Sequence, residues 1–161
     1  MSYYSNYSKQ VDKGAKSEEI FRDIAIINGH KPFLSTDKQN KRAHIDMFLL
    51  KDDKIASFDV KSVGNWGYTS ELLNNYGYEG SLYGSADMMA YVSDKNILIV
   101  NRYDLIKLVE SKVNGAAPIT LKGQPKPYTP YTRKEKYGWK DSWIVIDVND
   151  LLRLKHTLWN I

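Results

Sequence analysis

The sequence predicts a single α/β domain built on a mixed central sheet. Three observations lead to this prediction. The length of 161 residues suits one domain, an amphipathic helical segment stands near the start, and several extended segments follow it. With 42% hydrophobic and 26% charged residues, the composition is that of an ordinary globular protein.

The first predicted element is a helix that begins at Ser17, because a serine there can cap the free N–H groups of the first turn. Glu18 and Glu19 follow in that turn, where the helix dipole favours acids. The apolar stripe and the glycine stop are Ile20, Phe21, Ile24, Ala25, Ile27 and Gly29. Residues 1–13 are polar and rich in tyrosine, so we expect a flexible arm before a domain that spans 14–161.

Three extended segments follow the helix, at residues 31–35, 44–50 and 55–62. The second and third should form a hairpin across the turn at 51–54. Alternation in the third places one set of side chains on each face: Ala56, Phe58 and Val60 against Ser57, Asp59 and Lys61.

The rest of the chain is predicted to hold a further strand, a hairpin, a helix, a long loop and a final strand leading into a short helix. The strand is expected at 68–73 and the hairpin at 86–92 with 96–100. The helix is expected at 104–112 and the long loop at 114–141. The final strand is expected at 143–148, and the short helix after it runs through Leu154. The long loop contains four of the five prolines.

Composition excludes several kinds of site. The absence of cysteine rules out disulfides, cysteine-based zinc sites and a thiol nucleophile. No apolar run approaches the roughly 20 residues of a membrane span, and the first residues lack the apolar core of a signal peptide. We therefore expect a cytoplasmic protein with no membrane partner and no small-molecule cofactor.

The net charge of +4 is concentrated in one segment. Residues 122–140 hold six Lys and Arg against one acid, and aromatic side chains alternate with the cations. The predicted contact cations are Lys126, Arg133, Lys134, Lys136 and Lys140. Because cations bind phosphates and aromatic rings stack on bases, this composition predicts a nucleic-acid contact loop. A solvated loop whose aromatic rings pack back on the domain is the alternative.

Two acids lie inside predicted apolar strands, Asp46 and Asp59. Strand interiors are depleted in Asp, and a half-buried carboxylate needs a partner or a cation. Lys61 stands two residues after Asp59, so alternation places it on the same face. Such oxygen ligands suit Mg²⁺ or Mn²⁺, whereas a solvated salt bridge is the alternative.

Further charged side chains are predicted near these acids. At about 100° per residue, Glu18 lies at the edge of the helix stripe and can face the site, while Glu19 points away. The alternative role for Glu18 is a simple favourable charge at a helix start. His44 and Glu71 could also join the site. Three cations stand just before Asp46, where a phosphate would enter: Lys38, Lys41 and Arg42.

These segments resemble a known nuclease superfamily. Residues 14–18 (GAKSE) open the helix, Ile45-Asp46 follows, and 58–62 reads FDVKS. This pattern resembles the PD-(D/E)xK nucleases and is most similar to archaeal-type Holliday junction resolvases and to small phage-encoded nucleases. The thirteen-residue gap between the two acids also fits. The resemblance covers about residues 13–63.

The resemblance implies a restriction-endonuclease-like αβββαβ core with a C-terminal extension. It implies that Asp46, Asp59 and the main-chain carbonyl of Val60 bind Mg²⁺, for which Mn²⁺ could substitute. Glu18 would hold a metal-bound water or a second metal, and Lys61 would orient the attacking water. The implied catalytic residues are thus Glu18, Asp46, Asp59 and Lys61.

The implied function is Mg²⁺-dependent hydrolysis of DNA phosphodiester bonds, with Holliday junctions or other branched DNA among the candidate substrates. A resolvase of this kind should be a homodimer, because a four-way junction presents two symmetry-related strands. Two alternatives stay open: a non-catalytic nucleic-acid-binding module on the same fold, and a restriction- or repair-type nuclease subunit that needs a partner.

Overall fold

The structure is a computed structural model, and it describes residues 3–74, 77–132 and 141–161, with side chains described from residue 12 onward. Its elements are α1 (Tyr3–Ile27), β1 (Lys31–Leu34), α2 (Asp37–Ala43), β2 (Met47–Lys51), β3 (Lys54–Ser62), β4 (Tyr68–Leu73), a 3-10 helix (Ser81–Tyr83), β5 (Met88–Val92), β6 (Asn96–Asn101), α3 (Arg102–Val113), β7 (Ile119–Thr120), β8 (Tyr131–Thr132), β9 (Ser142–Ile146), α4 (Val148–Leu151) and β10 (His156–Asn160). Among the helices of these described segments, none has the length and apolarity needed to cross a membrane.

The strands form two sheets. The larger has six strands in the order β1-β2-β3-β5-β6-β10, and the smaller has four in the order β4-β9-β8-β7. In the larger sheet β3 and β5 run parallel, while the other neighbouring strands run antiparallel. The predicted α/β class with a mixed sheet is therefore confirmed.

Helix α1 is longer than the sequence pattern predicted. It begins at Tyr3 and not at Ser17, so the backbone of residues 3–13, predicted as an arm, is helical. Ser17 is buried inside the helix, where its hydroxyl lies 2.6 Å from that of Ser62 on β3. Ser17 therefore does not cap the start of a helix, and its hydroxyl contacts a residue of another element instead. The predicted stop at Gly29 is confirmed by a Schellman pairing across the last turn and a φ of +81°.

The predicted β2–β3 hairpin is also confirmed. Its two central turn residues, Asp52 and Asp53, have φ of 49° and 59°, the sign that a tight hairpin turn requires. The hairpin of β5 with β6 forms as predicted. Several short elements were not predicted: α2, β7, β8 and β10. The connection between the parallel strands β3 and β5 contains β4 and the 3-10 helix, and its described residues form no α-helix. An αβββαβ core would have an α-helix in this connection, so the structure differs from that expectation.

Each face of the larger sheet covers an apolar core. Helix α1 packs on one face, with Phe21 and Phe58 ring centroids 5.1 Å apart at its centre. The other face packs against α3, α4 and the smaller sheet. The hydroxyl of Tyr91 on β5 lies 2.9 Å from that of Ser70 on β4, which joins the two sheets. Asp59 and Lys61 of β3 have their side chains on this second face of the larger sheet, which is the face that meets the smaller sheet.

Candidate active site

Asp59 and Lys61 project from β3 on the face opposite Phe58 and Val60, as the alternation predicted. Asp59 is fully buried, whereas the Lys61 side chain is 31% exposed. The Lys61 Nζ lies 2.6 Å from Asp59 Oδ1. Burial alone would lower the pKa of Lys61, but the charges of Asp59 and Asp46 raise it above its ordinary value. The ammonium is therefore charged at neutral pH.

Asp46 lies just before β2 and not inside a strand as predicted. Its main-chain N–H donates to Phe58 across the sheet at 2.8 Å. Its carboxylate accepts from the Val60 main-chain N–H at 2.7 Å and from the Asn40 side-chain amide at 2.8 Å. Because the N–H and C=O of a strand residue point to the same side, the Val60 carbonyl faces the same edge of β3 as this N–H.

Glu18 belongs to the same electrostatic environment, although it stands on α1. The neighbouring Ser17–Ser62 contact fixes this turn of the helix at the end of β3. Burial raises the pKa of Glu18, as do the charges of Asp46 and, more weakly, Asp59. Burial and the charge of Asp59 likewise raise the pKa of Asp46. Three carboxylates therefore repel one another at this point, with Glu18 only partly buried.

Arg102 completes this group, and sequence reasoning missed it. It is the first residue of α3 and is 4% exposed. Its guanidinium lies 3.1 Å from Asp59 Oδ2. It also donates to three main-chain carbonyls, those of Ser81, Leu82 and Ala86. No local pattern pointed to Arg102, because its partner is 43 positions away in the sequence.

The donor chemistry of this group suits a hard divalent cation. Asp59 Oδ1 is buried and accepts no hydrogen bond of regular geometry from the described residues, its close neighbour being the ammonium of Lys61. Burial, and after it the charge of the neighbouring carboxylates, raises the pKa of Asp46 and Glu18, and such a cation would offset both causes. Oxygen ligands from Asp46, Asp59 and the Val60 carbonyl fit Mg²⁺ or Mn²⁺. Within the described residues no group of three His, Asp or Glu side chains stands close enough together to hold one ion.

A cleft of about 440 Å³ adjoins Lys61. Its lining residues are His44, Lys61, Trp66, Thr69, Ser70, Glu71, Ser81, Asp141 and Trp143. Both secondary candidates, His44 and Glu71, thus line the same cleft as Lys61. His44 ends α2 in the left-handed region with φ of 50°, and burial together with the charge of Lys61 lowers its pKa. At neutral pH His44 is therefore uncharged.

The predicted nucleic-acid contacts divide into two groups. Lys41 and Arg42 are exposed on α2, the helix whose Asn40 contacts Asp46, and they line a cavity separate from the one beside Lys61. Lys126 is exposed, and its main-chain N–H donates to the Tyr131 hydroxyl. The other four predicted contacts lie outside the described residues: Arg133, Lys134, Lys136 and Lys140.

The arrangement contains the groups that hydrolysis of an anionic ester would require. It offers two carboxylates and a carbonyl to a cation, a charged lysine to a phosphate or a water, and an adjoining cleft to the rest of a substrate. Comparison with protein-family models, with curated proteins and with solved structures gives no match for this chain.

Proposed function

We propose that this protein is a Mg²⁺-dependent endonuclease that hydrolyses phosphodiester bonds in DNA. The observation that carries the proposal is the convergence of Asp46, Asp59 and Lys61 at the end of β3, with Glu18 in the same field. Two acids with raised pKa beside a buried ion pair are typical of a functional site. The resemblance of residues 13–63 to PD-(D/E)xK nucleases supports the same chemistry.

Each residue has a distinct role in this proposal. A divalent cation held by Asp46, Asp59 and the Val60 carbonyl would supply Lewis-acid stabilisation of the phosphate. Lys61 orients the attacking water and offsets the negative charge that develops in the transition state. Glu18, on the helix, holds a water on the side of the site that faces α1. Outside this set, Arg102 holds the buried carboxylate of Asp59 in place.

The proposed substrate is DNA, with branched DNA such as a Holliday junction as one candidate. The exposed Lys41 and Arg42 stand on α2, the helix whose Asn40 contacts Asp46, and they would bind phosphates that flank the cut. Lys126 would contribute a more distant backbone contact. Cutting of a four-way junction would require a homodimer, because its two cleaved strands are related by two-fold symmetry.

The test is cleavage of a DNA panel comprising linear duplex, single strand, flap and four-way junction, with Mg²⁺, Mn²⁺ or EDTA. Asp46→Asn should lower cleavage more than about 100-fold, since losing partners outside the ligand shell alone costs about 10–100-fold. Asp53→Asn is the matched control, because this exposed turn residue has a positive φ that Asn tolerates. Equal cleavage by both variants would exclude the assigned site.

A non-catalytic nucleic-acid-binding module is the second candidate. The observation in its favour is that Lys61 and Arg102 already balance the charge of Asp59 without any bound cation. This candidate predicts that the protein binds the same DNA panel and cleaves none of it with either metal. Cleavage that requires Asp46 would exclude it.

A further inference from the structure

Two tryptophans form a parallel stack beside the acidic site. The rings of Trp66 and Trp143 are 4.9 Å apart between centroids and inclined by only 2°. Trp143 lies on β9 and is 9% exposed, with Tyr131 tilted against it at 5.4 Å. Trp66 is the outer ring of the stack and is 46% exposed. One face of Trp66 is therefore covered by Trp143, and the residue still presents a large aromatic surface to solvent.

A tight turn fixes Trp66 close to the proposed catalytic lysine. Gly64 and Gly67 pair through both of their main-chain N–H groups, and Gly67 has a φ of +81°. The turn follows β3 directly, so Trp66 is only five residues after Lys61. Lys61 and both tryptophans line the same cleft of about 440 Å³. The tryptophan stack and Lys61 thus line one cleft.

The chemistry of the cleft selects a particular class of ligand. A flat aromatic ring that is already held in place stacks on a nucleobase with little loss of side-chain freedom. Bases inside a continuous duplex hide both faces against their neighbours, so only an unpaired, unstacked base can reach Trp66. The cleft volume lies within the range of about 300–1,000 Å³ that small ligands occupy. Among its described lining residues Lys61 is the cation and Glu71 and Asp141 are the acids, so the phosphate of the same nucleotide would lie at the Lys61 wall.

We propose that this cleft binds one unpaired nucleotide of a DNA strand, with the base stacked on Trp66 and the phosphate near Lys61. The orientation of the phosphate rests on the proposed nuclease function. The substrate class is then DNA that has an unpaired nucleotide beside the cut, as in single strands, flaps and branch points, in preference to continuous duplex.

The test measures binding in EDTA, where metal-dependent cleavage does not occur. Trp66→Ala should weaken the affinity for a labelled oligothymidylate and for a flap about tenfold, as expected for loss of one base–aromatic stack. Its affinity for a duplex of equal length should change less than twofold. Trp66→Phe should restore most of the lost affinity. Tyr103→Ala is the matched control, because Tyr103 is a 63% exposed aromatic residue on α3 that does not line the cleft.

Thymidine monophosphate, titrated by quenching of tryptophan fluorescence, separates a DNA site from a free-nucleotide site. Binding of the monophosphate as tight as that of the oligomer would overturn the assignment to DNA. Unchanged affinity of folded Trp66→Ala and Trp66→Phe for single strand and flap would overturn the stacking site. Failure of the nuclease proposal would look different. Mg²⁺-dependent cleavage would then be absent, while Trp66→Ala would still weaken the affinity for single strand and flap.

Discussion

Two clusters in this protein have the same ionic composition and different surroundings. Asp59 is contacted by Lys61 at 2.6 Å and by Arg102 at 3.1 Å. Asp150 on α4 is contacted by Lys112 at 3.6 Å and by Arg153 at 3.2 Å. The Asp59 side chain is 1% exposed and that of Asp150 is 13% exposed. The two cations around Asp59 are 31% and 5% exposed, while the two around Asp150 are 46% and 79% exposed. One aspartate, one lysine and one arginine therefore do not by themselves define a site.

The neighbouring acids distinguish the two clusters. The Tyr128 hydroxyl, which donates to Asp150 at 2.8 Å, and then the nearby cations lower the pKa of Asp150, as in an ordinary stabilising ion pair. At Asp59, two further carboxylates, Asp46 and Glu18, have raised pKa values. Accumulated acids at a buried position oppose stability, and proteins retain such arrangements at functional sites.

The largest predicted difference is in stability. Asp59→Ala should lower the free energy of unfolding by about 3–5 kcal/mol, because it leaves the buried guanidinium of Arg102 without its anion. Asp150→Ala should cause a much smaller loss, since its cationic partners are hydrated. Urea unfolding of both variants measures the difference, and equal losses would contradict it. The double variant Asp59→Ala/Arg102→Met should recover part of the stability without recovering DNA cleavage.

The two lysines provide the corresponding comparison of activity. Lys61→Ala should reduce Mg²⁺-dependent cleavage about 10²–10³-fold, the usual cost of removing one group that stabilises transition-state charge. Lys112→Ala removes a lysine from the exposed cluster and should leave cleavage unchanged. Single-turnover cleavage of flap DNA measures both rates. Similar losses in the two variants would mean that Lys61 acts only as part of the fold.

The part of this site that sequence could predict is the part set by local geometry. Period-two alternation in β3 places Asp59 and Lys61 on one face whatever the rest of the chain does. Arg102 could not be predicted, because its contact with Asp59 arises only when α3 packs beside the 3-10 helix. Asn40 was likewise unpredicted, since α2 was not expected.

The features of the fold that the sequence pattern did not predict also depend on contacts between distant residues. Ser17 has the residue type of a helix cap, but its partner is Ser62, 45 positions along the chain. Strand β10 has no clear alternating pattern and is fixed by pairing with β6. The 114–141 segment contains the short strands β7 and β8, which depend on the second sheet for their existence. Each of these features is specified by distant partners and not by local pattern.

Metal binding should affect the two clusters differently. Mg²⁺ at 100 times its dissociation constant should stabilise the protein by about 2.7 kcal/mol, by mass action on the folded state. The effect should disappear in Asp46→Asn, which removes a proposed ligand, and persist in Asp150→Asn. Thermal unfolding with and without Mg²⁺ measures it. Stabilisation that survives Asp46→Asn would place the metal elsewhere.

The smallest effect is the pH dependence of stability in EDTA, and its sign is opposite in the two clusters. The pKa of Asp46 is raised on folding, so its favourable contribution is complete below its unfolded value of 3.8 and is lost as pH rises through the folded pKa. The pKa of Asp150 is lowered, so its contribution is present above 3.8 and is lost as pH falls through the folded pKa. Urea unfolding from pH 7 to pH 3 measures these opposite signs. The free energy of unfolding should fall more steeply with acid in Asp46→Asn than in the wild type, and less steeply in Asp150→Asn. The same change of slope in both variants would contradict the raised pKa of Asp46.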